Sequence, residues 1–177
     1  MLPKEGTSFA ALVEAKNIRE WIYPTNYLLW RLIEKSLAFL QTGYATVPVL
    51  VSRKIQQSAR TFFKSVGILG LDTHFQYFDP SVETALEEIR HTDGLGFKDI
   101  RIIEEPQEYV HKFFAVGLLK QGPSFAKRFA SMAPILTKYT PLLANRNTGF
   151  SERAAIWKVL SKDLKISSEF DDYDEDY

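Results

Sequence analysis

Glu14-Ala15-Lys16 is the tripeptide in this sequence whose residue types and spacing are best suited to chemistry. Residues two apart on a β-strand project to the same face, so a carboxylate and an ammonium would emerge together if the segment is extended. Phosphodiester hydrolysis uses such a pair. The carboxylate holds a divalent metal against the scissile phosphate, and the lysine stabilises negative charge and positions or deprotonates the attacking water. The plainer alternative is a same-face surface ion pair, which contributes little.

The elements that would position this pair can be read outward from it. Phe9-Ala10-Ala11-Leu12-Val13 is a short apolar run ending in charge and predicts a buried strand with its polar end at a site or in solvent. Pro24 and Asn26 punctuate the chain. Tyr27, Leu28, Ile33, Leu37 and Leu40, interleaved with Arg31, Glu34 and Lys35, then have helical spacing up to Gly43. Val47-Pro48-Val49-Leu50-Val51 reads as a second buried strand, and strand, helix, strand in that order predicts a right-handed parallel crossover.

A helix over Gln56 to Val66, stopped by Gly67, leads to a strand expected over Ile68 to Phe78. Ser81 is expected to cap a helix running to Arg90, with a turn at Asp93 to Gly96 and a strand at Ile100 to Ile103. Beyond Pro106 the pattern is helical, near Tyr109 to Lys120, Ser124 to Lys138 and Ser151 to Leu164. Breaks are expected at Gly122-Pro123, at Pro141 and over Asn145 to Gly149, and Ser151 offers the last N-cap. The fold class is therefore α/β, a sheet with parallel β-α-β crossovers covered by helices, plus a helical C-terminal region. Its expected divisions are 1–106, 107–168 and a disordered acidic tail over 169–177.

The segment Leu12-Val13-Glu14-Ala15-Lys16-Asn17, followed by a helix and the strand Val47 to Val51, resembles the PD-(D/E)XK nuclease superfamily, with its restriction-endonuclease-like fold. The resemblance covers roughly the first third of the chain. It implies Glu14 as a magnesium ligand, Lys16 as the charge-stabilising catalytic lysine and the Ala15 carbonyl as a further ligand. Asn17 and Arg19, just past the strand, and Arg53 and Lys54, after the next one, are then candidates to touch DNA phosphates. For Arg53 and Lys54 the alternative is a solvated strand end.

The resemblance also implies a metal-binding aspartate on a preceding strand. Only Met1 to Ser8 lie ahead of this one, with Glu5 as their sole acid. A single carboxylate holds magnesium poorly. The expectation is accordingly a truncated core, a non-catalytic relative that binds nucleic acid or protein, or a piece completed by a partner chain or a missing N-terminal segment.

Charge is compatible with a polyanionic partner. The first 168 residues hold 22 basic against 16 acidic residues, a net of +6, whereas 169–177 holds six acids and no base. An ordinary solvated surface would also account for this balance. With no cysteine, a disulfide scaffold, a thiolate metal site and a cysteine nucleophile are excluded. No apolar run is long enough to span a bilayer and no signal-peptide pattern opens the chain, so the expected location is cytoplasmic.

Other constellations are weaker. Asp72 and His74 can share a metal if both lie on one strand, although no third ligand is visible and a strand-edge pair is the simpler reading. His91 and Asp93 suit a helix exit, and Gly94-Leu95-Gly96 lacks the third glycine of a dinucleotide-binding turn. Trp21, Tyr23, Trp30, Phe62, Phe63, Phe113 and Phe114 can stack on bases, but such spacings usually belong to a core.

Overall fold

The computed structural model describes residues 8–16, 20–90, 100–102 and 107–166. Its centre is a three-stranded parallel sheet of β1 (Ala10–Lys16), β2 (Thr46–Ser52) and β3 (Leu69–Asp72), in the order β1-β2-β3. Parallel strands require crossovers, here the helices α1 (Tyr27–Leu40) and α2 (Gln57–Val66). The chain is thus mixed α/β with helices on its sheet, as the alternation of apolar runs and helical spacing implies.

Strand β2 is central, and its continuous apolar run follows from burial on both faces. Val47 and Val49 meet Leu118 and Ala126 on one face, while Leu50 meets the larger cluster built on α1 and α2. Pro48 precedes the β2–β3 ladder, which begins at Val49 opposite Leu69. By contrast, β1 is an edge strand among the described residues, and Val13 is half exposed. The expected burial of the first strand's apolar run is thereby corrected at Val13: the face carrying Leu12 packs against the larger core, while Val13 faces outward.

Helix α1 starts at Asn26, whose Oδ1 accepts from Leu28 N at 2.9 Å. It buries Leu29, Trp30, Leu32, Ile33 and Leu37. Trp30 satisfies its indole N–H on Pro24 O at 2.7 Å, and Phe62 of α2 lies 5.7 Å from its ring. Gly67 ends α2 with φ +82, where glycine escapes the left-handed penalty. A Cβ at Gly67 would also overlap Phe125 O and Phe129 N, so this glycine lets another helix backbone pass close by.

That passing helix corrects an expectation. Breaks at Gly122-Pro123 and Pro141 do not occur; α5 runs unbroken from Leu118 to Leu143 through Pro123, Pro134 and Pro141. It continues from α4 (Glu108–Lys112) through a π-helical turn at Phe113–Gly117. An interior proline costs a helix about 3 kcal/mol. Burial of Leu118, Ala126, Phe129, Leu136, Tyr139 and Leu143 opposes that cost through contacts that no local pattern reveals. Gly122 is pinned by Phe9, whose ring occupies the space a Cβ would take.

Helix α6 (Phe150–Asp163) adds Trp157, edge-on to Phe62 at 5.1 Å, and Leu160. Gly149 stands at its N-cap instead of Ser151, without a side-chain cap bond. Likewise Asp79, not Ser81, does the capping after β4 (Gln76–Phe78). Its Oδ1 accepts from Ser81 N at 2.8 Å and opens a 3-10 turn, Pro80–Val82, that leads into α3 (Glu83–Arg90).

The single strand expected over Ile68 to Phe78 is two. Strand β3 ends at Asp72, and β4 (Gln76–Phe78) pairs in parallel with β5 (Ile100–Ile102) as a separate two-stranded sheet. Between them Thr73 N and His74 N bond to Ser52 O and Arg53 O, at 2.8 and 3.0 Å, and His74 has φ 58. No described helix is long and apolar enough to cross a membrane. The turn expected at Asp93 to Gly96, His91, and the acidic tail lie outside the described residues.

Candidate functional site

In β1 the side chains of Leu12, Glu14 and Lys16 share one face, with Leu12 against the core and the two charged groups nearer the strand's carboxyl end. The Glu14 side chain is 15% exposed and that of Lys16 20%, so both are largely shielded without being sealed. Lys16 Nζ pairs with Glu14 Oε1. Lys35, reaching down from α1, places its Nζ 3.1 Å from Glu14 Oε2.

Both carboxylate oxygens of Glu14 are therefore engaged by ammonium groups. Desolvation pulls its carboxyl upward, but the hydrogen bonds from Lys16 and Lys35, followed by their charges, outweigh that effect and hold it below the ordinary value. The cluster carries two positive charges against one negative.

Strand register extends the site sideways. Lys16 lies opposite Ser52, and Ser52 opposite Asp72, so these three residues form a row across the carboxyl ends of β1, β2 and β3. Paired residues on parallel strands project to the same face. Ligands of open parallel sheets characteristically bind at this end of the strands. The Ser52 hydroxyl is buried and has no hydrogen-bond partner, an uncommon condition for a hydroxyl.

Asp72 is occupied structurally. Its Oδ2 accepts from Ile55 N at 3.1 Å and Arg60 Nη2 at 2.6 Å, and its Oδ1 from His74 N at 3.0 Å. His74 Nδ1 is a further 3.2 Å neighbour of Oδ1, although His74 itself lies beyond the strand. The pair thus closes a turn, and the strand-edge pair expected here is corrected only in that His74 lies past the end of β3.

The phosphate candidates separate in the structure. Arg53 is only 4% exposed, which corrects the solvated strand end as an account of it. Lys54 stands 5.9 Å from the centre of the Trp21 ring, a side chain with a large exposed surface. A bridge between Ile22 and Ile55, with Ile22 N on Lys54 O at 2.9 Å and Gln56 N on Ile22 O at 3.1 Å, holds Trp21 and Lys54 together past the sheet end. Asn17 and Arg19 lie outside the described residues. Of the other aromatic candidates, Trp30, Phe62 and Phe63 are core residues.

The donors found here do not fit a magnesium ion. Glu14 contributes one carboxylate whose two oxygens already face lysines, Asp72 is saturated by four contacts, and no group of three or more metal-binding side chains occurs among the described residues.

Lys35, Ser52 and Arg60 are the members of this region that sequence reasoning missed. Lys35 follows Leu32 by three positions and so lies beside the buried stripe of α1, and Ser52 is the polar residue that ends the apolar run of β2. Those were the available signals; the contacts themselves arise only from the crossover. Compared with protein-family models, with curated proteins and with solved structures, the chain finds no match.

Proposed function

We propose that this chain is a nucleic-acid-binding domain of nuclease-like architecture, which receives a phosphate backbone at the carboxyl end of its parallel sheet. The observation that carries the reading is the same-face emergence of Glu14 and Lys16 from β1, joined by Lys35. Two ammoniums around one carboxylate leave a positive site, and Lys54 beside exposed Trp21 adds a cation and a stacking surface nearby.

The engagement of both Glu14 oxygens favours binding without cleavage for the residues described. Cleavage, the second reading, asks for another acid beside Glu14, brought by a partner chain or by a segment outside the described residues. Magnesium and DNA hydrolysis belong to that reading alone.

A nicking assay on supercoiled plasmid with magnesium or manganese separates the two. Binding to DNA with no nicking, and not weakened when Glu14 is replaced, supports the binding module. Nicking abolished by Lys16→Ala establishes the nuclease, and absence of both binding and nicking refutes the whole reading.

A further inference from the structure

A polar concavity lies away from the sheet edge. A pocket of about 460 Å³ opens between the first turns of α1 and the connection from α5 to α6. That volume belongs to the range of small-molecule sites, roughly 300–1,000 Å³.

Its polar wall is cationic. Arg31 and Arg146 line it together with Asn145, and Glu34, the carboxylate in the wall, is already paired with Arg31 at 2.9 Å. Asn145 Oδ1 accepts from Asn147 N at 2.9 Å, which leaves its amide nitrogen as a donor.

Arg153 of α6 braces this wall from behind. Its Nη2 donates to Asn145 O at 2.8 Å and Arg146 O at 3.1 Å, and its guanidinium lies 5.5 Å from the centre of the Tyr27 ring. Arg153 does not line the pocket; it fixes the backbone of Asn145 and Arg146 that does, and its charge lies behind that wall. Tyr27 opens α1, whose N-terminal dipole adds positive potential, and the first turn of that helix contains no acid. The rest of the lining, Pro141 and Ala144 with the Tyr27 ring, is apolar.

We propose that this pocket binds a small phosphate ester. Arg31 and Arg146 hold the phosphate, and the organic part rests against Tyr27, Pro141 and Ala144. Guanidinium groups suit a phosphate because their planar donors match its oxygens. The proposal stands apart from the sheet-edge reading, since no residue is shared between the two sites.

Thermal melting with adenosine monophosphate and with adenosine as probes tests it. The wild-type chain should melt higher with millimolar adenosine monophosphate and not with adenosine. Arg146→Ala should weaken binding by about tenfold or more. The double variant Arg31→Ala/Arg146→Ala should lose the rise, whereas Lys16→Ala should keep it. Should the double variant fail to fold, the single exposed Arg146→Ala decides by titration calorimetry. No rise in the wild type, or an undiminished rise without Arg146, overturns the proposal. So does displacement of the ester by an oligonucleotide that lacks a terminal phosphate.

Discussion

Lys35, twenty-one residues after Glu14 in the chain, returns to it through the crossover and places its ammonium 3.1 Å from Oε2. With Lys16 on the other oxygen, the strand carboxylate becomes the centre of a charged triplet. Function and stability should respond differently to its three members.

Replacing Lys35 by alanine should barely change stability, by about 0–1 kcal/mol, because the lysine is more than half exposed and its pair is screened. Glu14→Ala should cost more, because it leaves two ammoniums facing each other. Chemical denaturation of the two variants checks the order. A larger loss for Lys35→Ala would show that the helix lysine anchors the fold.

Acidification supplies a separate test. The Glu14 carboxyl is held low in the folded chain, so its stabilising contribution is complete above the ordinary value of an unfolded glutamate and is lost as pH falls through the lower folded value. Stability of wild type should therefore decline more steeply across that window than stability of Glu14→Gln. Parallel acid curves for the two would remove the triplet from the account.

Ser52→Ala should be neutral or should stabilise by about 1 kcal/mol, since it removes a buried hydroxyl that lacks a partner. Destabilisation on urea unfolding would mean that the hydroxyl has a partner in the folded chain.

Asp72→Asn should destabilise by about 2–3 kcal/mol, because the carboxylate holds Arg60 and two backbone N–H groups at the turn that ends β3. Gly67→Ala should cost about 3 kcal/mol or more, combining a positive φ with overlap on the α5 backbone. Melting temperatures check both, and a neutral Gly67→Ala would contradict the close passage of α5.

Much of the sheet was legible in local pattern. The run Val47 to Val51 announced a strand buried on both faces, and Gly67 announced the end of α2. Alternation in β1 placed Glu14 and Lys16 on one face. Position in the sheet was not legible, so the half-exposed edge came as a correction.

Prolines misled most. Pro123 and Pro141 read as breaks because the local cost of each is large, yet Phe129, Leu136 and Leu143 bury against residues far away in sequence and hold α5 continuous. His74 misled for a related reason: Thr73 and His74 donate to the end of β2, which turns the chain out of β3 where composition alone suggests that the strand continues. Lys35 and Ser52 belong to the site only through crossover and register.

The most direct test of the central claim is fluorescence anisotropy of labelled duplex DNA across a salt series, with wild type and Lys16→Ala side by side. A phosphate contact at Lys16 predicts weaker binding by the variant and a log–log salt dependence shallower by about one. Identical affinities and identical slopes, or no binding by the wild-type chain at low salt, would contradict it.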